Sequence, residues 1–377
     1  MRALVLLLGL LLSGDALAYG FMVRHHYTTC SSCHVDPSGG SLVSPYGRAQ
    51  GELLLRSRYG VPADEPGPEG EFLFGLVKLP EPFLASGDVR LAFTSGRDFS
   101  APRVFPMQAD LTAGIQSGQL VVSASVGVGS AAAASATLFG DTVRAISRHH
   151  WVGYAPDEDR QWLVRFGRMN LPFGLRLPEH PAWVRQVTGT DTAQGQQHGL
   201  AVAYSGERLR AEVMGIVGNL QLNPPDFRER GYAATAEVAL TPAVLLGASS
   251  RLTHAERDFA EPTRAVFRHA HGLSARLVPI KPLVVSLEAD FVWETRRGLG
   301  GPLGVVALAH LDLEPVQGFH LVGVAEVKAR EREQAAVGGW IGAWWFLAPH
   351  VNVRVDLITR AEAQLHTSLL AQVHLFL

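Results

Sequence analysis

The stretch Leu283-Val284-Val285-Ser286-Leu287-Glu288-Ala289-Asp290-Phe291-Val292-Trp293-Glu294 carries an apolar residue at every odd position, while Ser286, Glu288, Asp290 and Glu294 share the other face. Side chains alternate across a β-strand, so a period of two held over a dozen residues reads as a strand with one apolar and one polar face. The pattern recurs. Val351, Val353, Val355 and Leu357 oppose Asn352, Arg354 and Asp356, and Leu209, Ala211 and Val213 oppose Arg210 and Glu212. Leu321, Gly323, Ala325 and Val327 likewise oppose Glu326 and Lys328. A soluble sandwich also alternates, but in shorter strands that turn their polar face outward. Runs of about ten residues or more have the length that crosses a bilayer at a tilt.

Turn signals count the strands. Short connections fall at Ser117-Gly118, Pro156-Asp157, Gly206-Glu207, Thr241-Pro242, Pro279-Ile280-Lys281-Pro282, Glu314-Pro315 and Ala348-Pro349. Between them lie longer polar or glycine-rich stretches, from Gly96 to Arg103 at one end of the chain to Arg360 to Glu362 at the other. Alternating short turns and long loops predict an all-β transmembrane outer-membrane barrel of about 16 antiparallel strands, an even number that puts both termini on the short-turn side. In a cell outer membrane that side is the periplasm. The final strand suits closure: Leu365, Leu369, Ala371, Val373, Leu375 and Leu377 share a face, with the aromatic Phe376 one position before the end.

Composition agrees. Hydrophobic residues make up 47% of the chain and mean hydropathy is +0.11, yet after the first residues no apolar run of about eighteen occurs, which excludes a helical membrane span. A formal net charge of -2 gives no ground for nucleic-acid binding. Lumen-facing charges of both signs, including Arg165, Arg210, Glu212, Glu237, Arg251, Arg276, Glu326 and Arg354, predict a hydrated or ion-paired interior.

The beginning of the chain has a different character. Met1-Arg2, the apolar run Ala3 to Leu12 and Ala16-Leu17-Ala18 read as a cleaved export signal over 1–18, with the mature chain starting at Tyr19. A distinct segment occupies 19–60, a Pro/Gly-rich acidic linker and approach to the barrel 61–86, and the barrel 87–377. Within 19–60 stand the only two cysteines of the 377 residues, as Cys30-Ser31-Ser32-Cys33-His34. Two thiols with two residues between them and a histidine directly after suit thioether capture of one haem c, with the histidine reaching the iron. Zinc would need two further ligands at a sensible spacing. A surface disulfide, or a thiol pair beside an incidental histidine, stays open as the plainer alternative.

On this reading Cys30 and Cys33 attach the cofactor and His34 is the proximal iron ligand. His26 is the candidate distal ligand, with His25 and Met22 as alternatives. His149, His150, His180 and His198 would approach from the barrel, and an open position filled by water is a further option. Arg48, after Tyr46-Gly47, is a candidate partner for a haem propionate, or else a solvated arginine beside a helix start; the stretch Gly47 to Arg56 suits a short helix or a packed extended piece. The longest loop, Arg168 to Arg185, is apolar and aromatic enough to fold inside a barrel, where its arginines would set an anion-friendly constriction; the alternative is an outer cover. Asp157-Glu158-Asp159 sits at a short turn, where charge is ordinary, and is not read as a metal site.

A cleaved signal, a segment with one CxxCH followed by Pro37 and by Gly47-Arg48, and then a single-chain barrel resemble the fused outer-membrane monohaem cytochrome-porins of bacteria, best known from iron oxidisers. The resemblance implies thioether attachment at Cys30 and Cys33 and iron ligation by His34, in a segment that plugs or lines the pore. It also implies an electron carrier rather than a turnover enzyme, exchanging electrons between an exterior donor or acceptor and periplasmic carriers such as a soluble cytochrome or a cupredoxin. Ser38-Gly39-Gly40-Ser41 departs from the iron-oxidiser pattern, so iron as the donor is not implied. A passive diffusion porin with a disulfide-containing plug, and a haem sensor or peroxidase, are the competing functions.

Overall fold

Strands that are apolar on one side and polar on the other gain most by closing on themselves, which gives the polar faces a common interior and removes every open edge. The computed structural model of the chain has this architecture. It describes residues 21–25, 27–40, 42–57, 72–96, 102–130, 143–177, 179, 182–191, 195–221, 223–296, 299–331 and 333–377.

The strands are β1 (Phe83–Gly96), β2 (Arg103–Ser117), β3 (Leu120–Ser130), β4 (Val143–Ile146), β5 (His150–Tyr154), β6 (Trp162–Met169), β7 (Gln197–Ser205), β8 (Leu209–Gly218) and β9 (Arg230–Thr241). They continue as β10 (Val244–Ala255), β11 (Val266–Ile280), β12 (Leu283–Arg296), β13 (Leu299–Gly300), β14 (Gly304–Val316), β15 (Phe319–Arg330), β16 (Ala336–Ala348), β17 (Val351–Ala361) and β18 (Leu365–Phe376). Neighbours pair antiparallel, and β18 returns to β1 with Asp88 opposite Phe376, which closes the sheet. β4 and β5 both pair with β3 and form one stave, and β13 only extends the β12 edge beside β14, so eighteen strands less two make sixteen staves.

The opening stretch behaves as its pattern dictates. Ser286, Glu288 and Asp290 of β12 are buried inside, while Leu287 and Phe291 are exposed on the outer face. Val284, an apolar residue on the inner face, is buried because chain fills the lumen at that level. The seven short turns fall where expected with one shift: the chain reverses at Gln317 and Gly318, not at Glu314-Pro315, and Gly318 takes the positive φ of +79° that the reversal needs. β1 begins at Phe83, so the first stave includes residues that the composition assigned to the linker.

Two pieces of chain enter the lumen. The N-terminal piece runs from Phe21 to Ser57 and contains helix α1 (Pro45–Leu54), started by Ser44, whose hydroxyl accepts from the Gly47 amide at 3.0 Å, and by Pro45 in the first turn. It lies at the short-turn end, where the Ser57 amide donates to the Phe346 carbonyl at 2.8 Å and the Gln317 side chain donates to the Leu53 carbonyl at 2.7 Å. Phe21, Met22, Tyr27, Cys33 and Leu55 form one cluster there with Leu245, Val284, Trp344 and Phe346 of the wall. Phe376 packs inward against the same cluster, which accounts for an aromatic one position short of the terminus.

The second piece is the loop after β6, with helix α2 (Trp183–Thr188). Leu175, Leu177, Trp183 and Val184 pack against Val306, Leu308, Val322 and Trp340 on the inner face of β14 to β16. The loop is therefore folded inside the barrel, as its apolar content predicted.

Candidate functional site

The CxxCH stretch forms a tight turn. The Thr29 hydroxyl accepts from the Ser31 amide at 3.3 Å, and the Cys30 carbonyl accepts from both the Cys33 amide at 3.2 Å and the His34 amide at 2.9 Å. His34 then pairs with Val43 as an isolated antiparallel bridge, and between them Asp36 to Gly39 makes a turn in which the Asp36 carboxylate accepts from the Ser38 amide at 2.7 Å.

Two glycines fit closely around this turn. Gly39, at φ +77°, would place a Cβ 3.2 Å from the Cys30 sulfur, and Gly47 would place one 2.6 Å from the Cys33 Cα. Both cysteines are buried free thiols, and burial, with the neighbouring Cys30 sulfur, pushes the Cys33 thiol up to about 11.

Cys30, Cys33 and His34 line one cavity inside the barrel, about 2020 Å³ counting the part open to solvent. Burial lowers His34 to about 4 against the opposing pull of Asp36 and the Gly40 carbonyl, which keeps the imidazole in the neutral form that binds metal. Asp36 is itself anchored. Burial opposes its charge, but Arg165 at 2.7 Å and the Ser38 hydrogen bonds bring it down to about 2. Two thiols, one neutral imidazole, a glycine cradle and a lumen cavity form a donor set and a space that fit haem c.

The other sequence candidates separate. Met22 lines the cavity, buried among Cys33, Val284 and Trp344. His25 turns away to Glu314, 3.3 Å distant. His26 and His180 lie outside the described residues. Arg48 does line the cavity, held by a 2.7 Å hydrogen bond to the Ala85 carbonyl and lying over the Phe72 ring. His150 and His198 pair with each other, ring centroids 5.3 Å apart, and do not line the cavity, whereas His149 does.

Three cavity residues had no signal as site residues in the sequence. His350 and His374 come from the last turn and last strand, and Arg148 reaches in to pair with Asp110 of β2 at 2.6 Å. Only the polar run Ser147-Arg148-His149-His150, in the middle of what should be a strand, hinted that the fourth stave is irregular.

The interior charges pair as their mixed sign predicted. Arg165 meets Glu212, Arg276 meets Glu237, Arg354 meets Asp356 and Glu179 at 2.8 Å each, and Arg360 meets Glu326 at 2.6 Å. The arginines expected to set an anion-friendly constriction do not behave alike. Arg185 of the inward loop is neutralised by Glu288, Arg176 lies 3.9 Å from Glu212, and Arg168 stands on β6, donating to the Ser147 carbonyl and to Gln221. Of the three, Arg185 has a close carboxylate partner, whereas Arg176 lines the cavity at 3.9 Å from a Glu212 that is already paired with Arg165.

No protein-family model and no curated protein sequence matches this chain. Solved structures do. A loop-deletion form of OmpT, an outer membrane protein of Vibrio cholerae, superposes with a TM-score of 0.61 at 8% identity, covering 78% of this chain and 99% of its own. The outer membrane channel DcaP of Acinetobacter baumannii gives 0.55 at 11% identity, covering 78% and 97%. An anion-selective porin from Comamonas acidovorans gives 0.55 at 12%, covering 78% and 99%. The likeness is of fold: this chain is a closed sixteen-stave antiparallel barrel similar in fold to these outer-membrane proteins.

Proposed function

We propose that the chain is an outer-membrane electron-transfer protein that holds one covalent haem c inside its barrel. The observation that carries this reading is the convergence of Cys30, Cys33 and His34, the elements of a haem-attachment motif, on a single lumen cavity. When bound, the haem supplies one-electron chemistry. The chain's own part is to fix and insulate: Cys30 and Cys33 tether, His34 ligates, Arg48 stands at the cavity to receive a propionate, and the apolar cluster around Phe21 and Trp344 screens the site from water. The partners are a donor or acceptor outside the cell and a soluble cytochrome or cupredoxin in the periplasm, which the termini face.

Protein matured in a host that attaches c-type haem tests this. The haem should stay on the denatured polypeptide, and a Cys30→Ala/Cys33→Ala variant should lose it. A wild-type polypeptide without covalent haem ends the reading.

A passive diffusion porin is the second reading, and the similar structures favour it, since they include a channel and an anion-selective porin. Against open diffusion stand the two pieces of chain in the lumen. Solute conductance in planar bilayers without haem absorbance would select the porin.

A further inference from the structure

The fourth stave contains an irregularity at the level of the cavity. Gly127 of β3 stands opposite Ile146 of β4, and Ala124 of β3 stands opposite His150 of β5. Three steps on β3 match four on the partner, so one extra residue is inserted, a β-bulge. The insertion is pinned by one side chain. The Ser125 amide donates to the His149 carbonyl at 2.8 Å, and the Ser125 hydroxyl accepts from the His149 amide at 3.0 Å. As a result two consecutive residues, Arg148 and His149, both line the lumen cavity, which an unbroken strand does not allow.

Arg148 is committed to Asp110. His149 stands on the wall to which the haem-motif turn is fastened, since Asp36 is ion-paired to Arg165 of β6 and Asn170 donates to the Ser38 hydroxyl at 3.1 Å. His34 and His149 line the same cavity. The rival imidazoles and thioether share the cavity but are otherwise engaged: His374 has both ring nitrogens occupied, by Asp88 at 3.0 Å and Asn352 at 3.2 Å, His350 packs beside Phe74 and Phe376, and Met22 is packed with Cys33 into the apolar cluster of Val284 and Trp344.

We propose that His149, presented by this bulge, is the second axial ligand of the haem iron, so that the barrel wall itself closes the coordination begun by His34. This rests on the haem reading above. A bulge is a known means of re-aiming a side chain next to a functional site. It also gives the barrel a role beyond containment: the haem segment would be ligated to the wall rather than only plugged into it.

The experiment uses full-length protein matured with c-type haem and purified in detergent, read by visible and near-infrared spectra in both oxidation states. The wild type should show the low-spin signature of two imidazole ligands. His149→Ala should lose it while retaining covalent haem and heat-modifiable gel mobility, and added imidazole should restore it. Met22→Leu, which removes the rival thioether, should keep the two-imidazole signature. A wild-type thioether signature, or a two-imidazole spectrum that survives His149→Ala, overturns the assignment alone. Wild-type protein without covalent haem overturns it together with the haem reading. If His149→Ala does not form a barrel, His149→Gln, which keeps side-chain bulk and polarity, decides by the same spectra.

Discussion

Gly47, in the first turn of α1, lies against the backbone of Cys33, so close that a Cβ at Gly47 would stand 2.6 Å from the Cys33 Cα and 2.7 Å from its carbonyl carbon. Backbone cannot swing aside as a flexible side chain can. Gly47→Ala is therefore expected to push α1 off the CxxCH turn at a cost on the order of 3 kcal/mol, the upper end for overpacking. Gly51→Ala, four residues on in the same helix, meets only the Leu55 side chain at 3.9 Å and should be neutral or stabilising by roughly 0.5–1 kcal/mol. Haem content per polypeptide and thermal unfolding midpoints of the two variants check the contrast; equal behaviour would show that α1 does not support the motif.

Arg24 ties the start of the lumen segment to the wall. Its guanidinium pairs with Asp312 and lies 3.2 Å from both Glu314 and the Pro282 carbonyl, with Arg24 and Asp312 almost wholly buried. Removing one partner of a buried pair typically costs about 3–5 kcal/mol, because the other charge is left without compensation. His320, 3.0 Å from Asp312, softens that here, so the lower end is expected for Arg24→Ala. The readout is local: limited proteolysis should cut between Phe21 and His25 in the variant well before the barrel unfolds. Equal protease resistance in variant and wild type would remove this pair as the anchor.

Much of this was legible in the sequence. A residue pair such as Glu288 and Leu287 states which side of the wall each occupies, because a period of two is a property of one strand and needs no partner. Seven short turns alternating with long loops carried the stave number for the same reason. Pro315 reads as the stronger turn residue, but the reversal two residues later needed a positive φ, which Gly318 could take. The polar run Ser147 to His150 hinted at an irregular stave, but the bulge itself was not legible, since an extra residue exists only relative to the neighbouring strand. The neutralisation of Arg185 by Glu288, 103 positions away, depends on closure of the whole barrel.

Glu288 also fixes the inward loop. It accepts from the Leu175 amide at 3.0 Å and pairs with Arg185, and Gly174 sits where any Cβ would strike its carboxylate. Glu288→Ala removes both attachments and the carboxylate that Arg185 is paired with. The loop is expected to leave its wall position for part of the time and open the lumen, seen as larger and noisier single-channel conductance in planar bilayers. Conductance equal to that of wild type would mean that the apolar packing of Trp183 and Val184 on β14 to β16 suffices to hold it.

At the opposite end from the short turns, Asp258 joins three staves. It lies in the connection between β10 and β11, wholly buried, and accepts from Arg268 at 2.6 Å, from Arg296 at 2.6 Å and from the Ala260 amide at 3.1 Å. Burial opposes its charge, yet these donors, Arg296 foremost, hold the carboxyl below its ordinary range. A carboxylate whose folded value is depressed stabilises fully above its unfolded value and loses that contribution as pH falls through the folded one. The rim should therefore hold at neutral pH and loosen only below about pH 4, the ordinary carboxylate value. Asp258→Asn should lose the acid-dependent part at all pH values, at a cost of roughly 1–3 kcal/mol for donors left unsatisfied. Proteolysis of the segment between Ala255 and Val266, followed from pH 7 to pH 3, gives the check: wild type should become sensitive only at the acid end, and the variant should be sensitive throughout.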